Sequence, residues 1–177
     1  MTDVLLELRC EEIPARMQAG ARADLDRLFR EQMQAAGVGL GQVTVWSTPR
    51  RLALIARDLP EATEAVREEE KGPPVGAPDQ AVDGFCRKMG VAREALEVRE
   101  LKGRETYFAV KDVPGRATKA VLAEAIPAIV RAFPWPKSMR WGEASLSTES
   151  LRWVRPLSGI VAILGEDLVA CEVGGVT

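Results

Sequence analysis

Lys137, Arg140, Arg152 and Arg155 interleave with Trp135, Trp141 and Trp153 in the last third of the chain. Cations beside aromatic rings could grip an RNA backbone by charge and stack an unpaired base on an indole face. The same mixture is also the composition of a packed core, or of an anchor at a subunit or interdomain interface. Only Glu143 and Glu149 oppose these charges, a modest local excess when each phosphate contact needs its own cation. A second pair, Arg50 and Arg51, follows Pro49 at a strand entrance. There the ring restricts φ, and fixed side-chain directions would suit bidentate contact with phosphate. Alternation along a strand puts the two on opposite faces, so at most one faces a given ligand. A solvated strand end or an internal salt bridge also accounts for them.

Other chemistries find few residues to carry them. The chain has no histidine, and Cys10, Cys86 and Cys171 lie far apart with no C-x-x-C pair. That removes the usual zinc ligand sets and the Ser-His and Cys-His nucleophile arrangements, and the cysteines are expected to pack as small apolar groups. Carboxylate-only metal sites remain open to the sequence. Glu11 and Glu12 are adjacent where the chain enters a helix, a place where carboxylates favour the helix dipole and rarely converge on one substrate atom. Glu68-Glu69-Glu70 beside Pro and Gly reads as a solvated linker. No Gly-x-x-x-x-Gly-Lys-Ser/Thr loop is present.

The 177 residues are 46% hydrophobic and 28% charged with a formal net charge of −2. This is the composition of a globular protein with a real core, and its overall charge does not point to nucleic acid. No stretch approaches the roughly 18 apolar residues of a membrane span, and the start lacks a basic leader. The expectation is a cytoplasmic, reduced protein with no membrane partner.

The elements that must position these residues follow from periodicity. Val4 to Leu8 is a short β-type run, and Pro14 suits the first turn of a helix. Met17, Ala21, Leu25, Leu28, Phe29, Met33 and Ala36 then recur at three- and four-residue steps up to Gly37. Val43 to Trp46 and Arg51 to Ala56 read as two strands, completing a β-α-β-β lobe over residues 1–76. Pro60 to Glu70 is acidic and weakly patterned, and the Pro- and Gly-rich Lys71 to Pro78 cannot hold a helix, which makes it the expected junction. The second lobe, 77–177, should hold a short helix from Asp79 to Gly90 and a helical turn over Val91 to Ala95. A hairpin about Lys102-Gly103-Arg104 follows, then a helix from Thr118 that Pro127 should kink or frustrate, and a second hairpin about Gly165-Glu166-Asp167. The fold class is α+β, with two small sheets each carrying helices on one face. The chain stops at Gly174-Gly175-Val176-Thr177 without a terminating element, as if more were to follow.

Five blocks stand in order along the chain: Leu5-Leu6-Glu7-Leu8 with Glu11-Glu12-Ile13-Pro14; Thr48-Pro49-Arg50-Arg51-Leu52-Ala53-Leu54; Lys71-Gly72-Pro73; Pro136-Lys137-Ser138-Met139-Arg140-Trp141-Gly142; and Val154-Arg155-Pro156-Leu157. Together they resemble the bacterial glycyl-tRNA synthetase β-subunit family over essentially the whole length. The resemblance implies further β-subunit domains beyond Thr177, among them a C-terminal anticodon-binding region. It also implies an α subunit that handles glycine and ATP (with Mg), so that no cofactor and no catalytic residue are expected in this chain. The implied partners are the α subunit, tRNA-Gly and the remaining β domains, in an α2β2 enzyme. Arg50, Arg51, Lys137, Arg140, Trp141, Arg152 and Arg155 are then candidates for RNA or interface contact. The alternative is a purely structural scaffold segment that never touches RNA.

Overall fold

Alternation in Thr2–Cys10 buries Val4, Leu6, Leu8 and Cys10 and leaves Asp3 and Arg9 exposed, the period-two signature of a strand with one face on a core. The computed structural model describes residues 1–141 and 150–177. Gly142, Glu143 and Glu149, named in the sequence reading, lie outside them. In chain order the elements are β1 (Thr2–Cys10), α1 (Ala15–Ala35), β2 (Val43–Thr48), β3 (Arg51–Leu59), β4 (Val66–Pro74), α2 (Asp79–Met89), a 3-10 turn (Arg93–Ala95), β5 (Leu96–Leu101), β6 (Arg104–Val113), α3 (Thr118–Ala132), β7 (Leu157–Leu164) and β8 (Asp167–Leu168). Two antiparallel sheets and three helices among the described residues make an α+β protein, as expected.

The chain forms two compact units, Met1–Thr63 with Arg116–Thr177, and Glu64–Gly115. The expected junction near residue 76 therefore falls inside the smaller unit. In the larger one a five-stranded sheet runs in the order β2-β3-β1-β7-β8. Leu6 pairs with Leu54 on one side and Ala162 on the other, and Leu8 with Leu52 and Ile160. These side chains share a core with Ala21, Leu25, Leu28, Phe29 and Met33 of α1 and with Leu122, Ile126 and Ile129 of α3.

The ends of α1 show how local sequence sets its limits. Pro14 precedes the first turn with φ −54° and no side-chain cap. Glu11 and Glu12 fall outside that turn, so they do not serve the helix start as expected. At the other end Gly37 takes φ 72°; its N–H donates to the Gln34 carbonyl (3.0 Å) and that of Val38 to Met33 (2.9 Å). This is the Schellman stop, with Val38 packed in the same core as Met33.

Pro127 sits inside α3, and the helix continues past it to Ala132. An interior proline costs about 3 kcal/mol. Burial of Leu122, Ile126 and Ile129 at about 1.5–3 kcal/mol each outweighs that. Around the start of α3 the chain is stitched back to the end of β3. The Thr63 N–H donates to the Arg116 carbonyl (2.8 Å), the Thr118 N–H to that of Glu61 (2.9 Å), and Ala62 bridges Ala117.

The smaller unit is a three-stranded sheet, β4-β6-β5, with α2 against β4. Here the sequence reading is corrected: the acidic and Pro-rich stretch taken for a linker is the strand β4, paired with β6 from Val66–Val113 to Pro74–Thr106. Glu69 and Glu70 are not solvated spacers; they pair with Arg99 (2.9 Å) and Lys88 (2.6 Å).

Candidate functional site

Phe133, Trp135 and Trp153 pack as a trio of rings. The Phe133 and Trp135 centroids are 4.7 Å apart and stacked, Phe133 and Trp153 are 4.8 Å apart, and Trp135 meets Trp153 edge-on at 5.0 Å. Trp153 is fully buried, and Trp135 and Trp141 are half-buried against the same core. Of the two readings for these rings, core packing describes Trp153; it has no free face for a base. The segment after α3 is pinned through Met139, whose N–H donates to the Trp153 carbonyl (2.7 Å) while the Trp153 N–H donates back (3.2 Å).

That packing turns three cations toward one cavity. Arg131, Lys137 and Arg152 line a space of about 550 Å³ with Trp135, Pro136 and Ser138, and among the described residues no carboxylate lines it. All three are exposed and none has an ion-pair partner among the described residues. Three clustered cations on a partly apolar wall favour an anionic ligand, which the net charge of −2 conceals. Of the candidates in this region, Lys137 and Arg152 come together here. Arg140 and Trp141 follow the Met139 bridge, and Arg140 is engaged by other groups. The Arg155 guanidinium donates to the Val154 carbonyl at 3.1 Å.

Arg131 was missed by the sequence reading. It lies in the last turn of α3, and its signal was its place two residues before Phe133, where the aromatic run begins.

Arg50 and Arg51 are apart from this cavity and each faces a carboxylate. Arg50 lies in the β2–β3 turn and reaches Glu11 at 3.3 Å; Arg51 opens β3 and reaches Glu7 of β1, also at 3.3 Å. The Arg50–Glu11 pair is solvent-exposed and the Arg51–Glu7 pair partly so, with Glu7 half-buried, and such pairs are worth about 1 kcal/mol or less, so a stronger anion could displace them.

The cysteines are packing groups. Burial pushes the Cys10 thiol up, opposed by the nearby Trp153 indole, whose N–H nevertheless has no hydrogen bond of ordinary geometry. Burial also raises Cys171. Both therefore stay protonated and unreactive near neutral pH. Among the described residues no group of histidine, cysteine and carboxylate side chains is placed to hold a metal ion, and no helix is long and apolar enough to cross a membrane.

A family model described as the glycyl-tRNA synthetase beta subunit matches residues 4–177. Curated proteins called glycine–tRNA ligase beta subunit are similar across the whole chain. The one from Phenylobacterium zucineum is 48% identical over 176 residues, 99% of this chain and 25% of its own length. That from Paracoccus denitrificans is 46% identical over 180 residues, 99% and 26%, and that from Dinoroseobacter shibae 44% over 181 residues, 100% and 24%. The chain thus spans about a quarter of the length of these relatives.

Proposed function

The chain belongs to the glycyl-tRNA synthetase β-subunit family, and from that membership we propose that it serves a two-subunit glycine–tRNA ligase, supporting tRNA-Gly binding and α2β2 assembly in the cytoplasm. Glycine activation with ATP and Mg belongs to the separate α subunit in this reading. The part played by this chain is to hold RNA and its neighbouring subunits in register, so that the acceptor end of the tRNA meets the activated glycine.

The observation that carries the RNA half of the proposal is the cavity lined by Arg131, Lys137 and Arg152. Three cations with no carboxylate partner among the described residues can each replace a counter-ion on a phosphate, and the half-buried Trp135 beside them gives a rigid apolar wall for a sugar or base edge. Such contacts position the tRNA and carry no sequence information themselves.

The test uses the full-length β subunit with its α partner. Arg131→Ala, Lys137→Ala and Arg152→Ala combined should lower tRNA-Gly affinity and reduce the slope of log K against log salt by about 2–3, at 0.7–0.9 per phosphate. Glycine-dependent ATP–pyrophosphate exchange should be unchanged, and β should restore charging only when α is present. An unaltered slope would assign this region a purely structural role, and full charging by β alone would sink the division of labour.

A further inference from the structure

The β5–β6 turn consists of Lys102 and Gly103, with φ of 53° and 77°. Two left-handed residues in a two-residue loop make the type I′ turn that matches the twist of the strands, and its first position favours Asn, Asp or Gly. A lysine there costs about 1–2 kcal/mol of backbone strain. The other non-glycine residue of this kind, Asp58 (φ 60°), is accounted for locally. It is of a type that tolerates the conformation, and its N–H donates to the Asp3 carboxylate at 3.2 Å. Lys102 has neither excuse, and it makes no ion pair among the described residues.

Lys102 shares a cavity of about 470 Å³ with Lys71, Arg104, Leu101 and Pro74, and among the described residues no carboxylate lines it. The register explains the meeting: Leu101 pairs with Arg104 across the turn, and Pro74 pairs with Thr106, which brings the end of β4 alongside. Three carboxylates of the same sheet, Glu69, Glu70 and Glu97, are held elsewhere. Arg99 binds Glu69 (2.9 Å) and Glu97 (2.6 Å), Arg67 reaches the same two (3.6 and 3.4 Å), and Lys88 binds Glu70 (2.6 Å). At the hairpin end Lys71, Lys102 and Arg104 make no ion pair among the described residues, and the nearest carboxylates of the ladder, Glu100 and Glu105, face each other one position further along it.

We infer that this hairpin end, Lys71 with Lys102 and Arg104, is a second contact for the phosphodiester backbone of RNA, carried by the smaller unit. The inference rests on the tRNA-binding reading above and adds a site that the Arg131–Lys137–Arg152 cavity does not include. Successive phosphates suit it: separate cations take separate anions, and Leu101 and Pro74 offer an apolar floor for the ribose between them. Contacts to phosphate position the RNA and carry no sequence information themselves. The strained lysine places an ammonium at the tip of a rigid turn, where little further freedom is lost on binding.

The experiment uses the assembled synthetase and titrates tRNA-Gly at several salt concentrations. Lys102→Asn suits the turn and removes the charge. It should raise or maintain the unfolding midpoint, weaken tRNA binding about 5–10-fold at 0.1 M salt and lower the log–log salt slope by about 1. Lys71→Ala, Lys102→Asn and Arg104→Ala together should lower the slope by about 2–3, leaving ATP–pyrophosphate exchange and α–β association unchanged. An unchanged slope for this triple variant overturns the inference. If the Arg131, Lys137 and Arg152 variants still weaken binding in that case, the tRNA-binding reading survives without it; if neither set does, both fail. Weakened α–β association in place of weakened tRNA binding would identify the occupant as protein and equally overturn it.

Discussion

Gly72→Ala should destabilise the smaller unit, and replacing Phe85 should reverse the sign of its effect. A Cβ built on Gly72 would stand 2.6 Å from Cε1, 2.8 Å from Cδ1 and 3.0 Å from Cζ of Phe85. Carbon contacts are most favourable at about 3.5–4.0 Å, so the overlap is about 1 Å against a ring carried by α2. Overpacking of that size costs about 1–3 kcal/mol. The φ of Gly72 lies outside the left-handed region, so alanine is otherwise compatible and restricts the unfolded chain, a gain of about 0.4–1 kcal/mol. The net loss is about 1–2 kcal/mol. With Phe85→Ala already in place the clash is gone, and Gly72→Ala should then stabilise by about 0.4–1 kcal/mol, a coupling of about 1–3 kcal/mol between the two sites. Native-state hydrogen exchange at the β4–β6 ladder reads this locally. If the two changes add within about 0.5 kcal/mol, the ring does not sit on Gly72, and the anchoring of β4 beside Lys71 is misdescribed.

Trp153→Ala removes a fully buried ring in contact with Phe133 and Trp135 and should cost about 3–5 kcal/mol in urea unfolding; a loss below about 1 kcal/mol would contradict the three-ring core. Arg99 holds the Glu69 carboxyl below its usual range, so the stability from this pair is present above that range and is lost as pH falls through the lower folded value. Glu69→Gln should flatten the acid limb of a pH–stability curve for the smaller unit, and an unchanged limb would mean the pair is too well solvated to matter.

How much of this was legible in the sequence depended on what kept each element in place. The period-two run at β1 and the helix stop at Gly37 are written in local chemistry and were read correctly, as was the hairpin about Lys102-Gly103-Arg104, except that Arg104 already belongs to β6. β4 was not, because its stability is borrowed from neighbours. It is an edge strand, which tolerates Pro73 and Pro74, and its Glu69 and Glu70 pair with Arg99 and Lys88 from other parts of the chain. The division near residue 76 failed for a related reason: the larger unit closes through Thr63 and Arg116, a link that linear composition does not reveal. At the candidate site, interleaving pointed to Lys137 and Arg152. That Arg131 joins them while Trp153 is sealed inside depends on ring packing, which no spacing encodes. The salt-bridge reading of Arg50 and Arg51 matches the geometry.

The stitching of Thr63 to Arg116 gives Glu64–Gly115 the standing of a cassette, whose exit and return share one doorway. For the host, lengthening or trimming such an excursion alters only a closure entropy that grows with the logarithm of its length, about 0.6 kcal/mol per doubling. The host core could therefore keep its own sheet while the cassette is rewritten, and a basic hairpin could be gained or discarded there without renegotiating the fold that carries it.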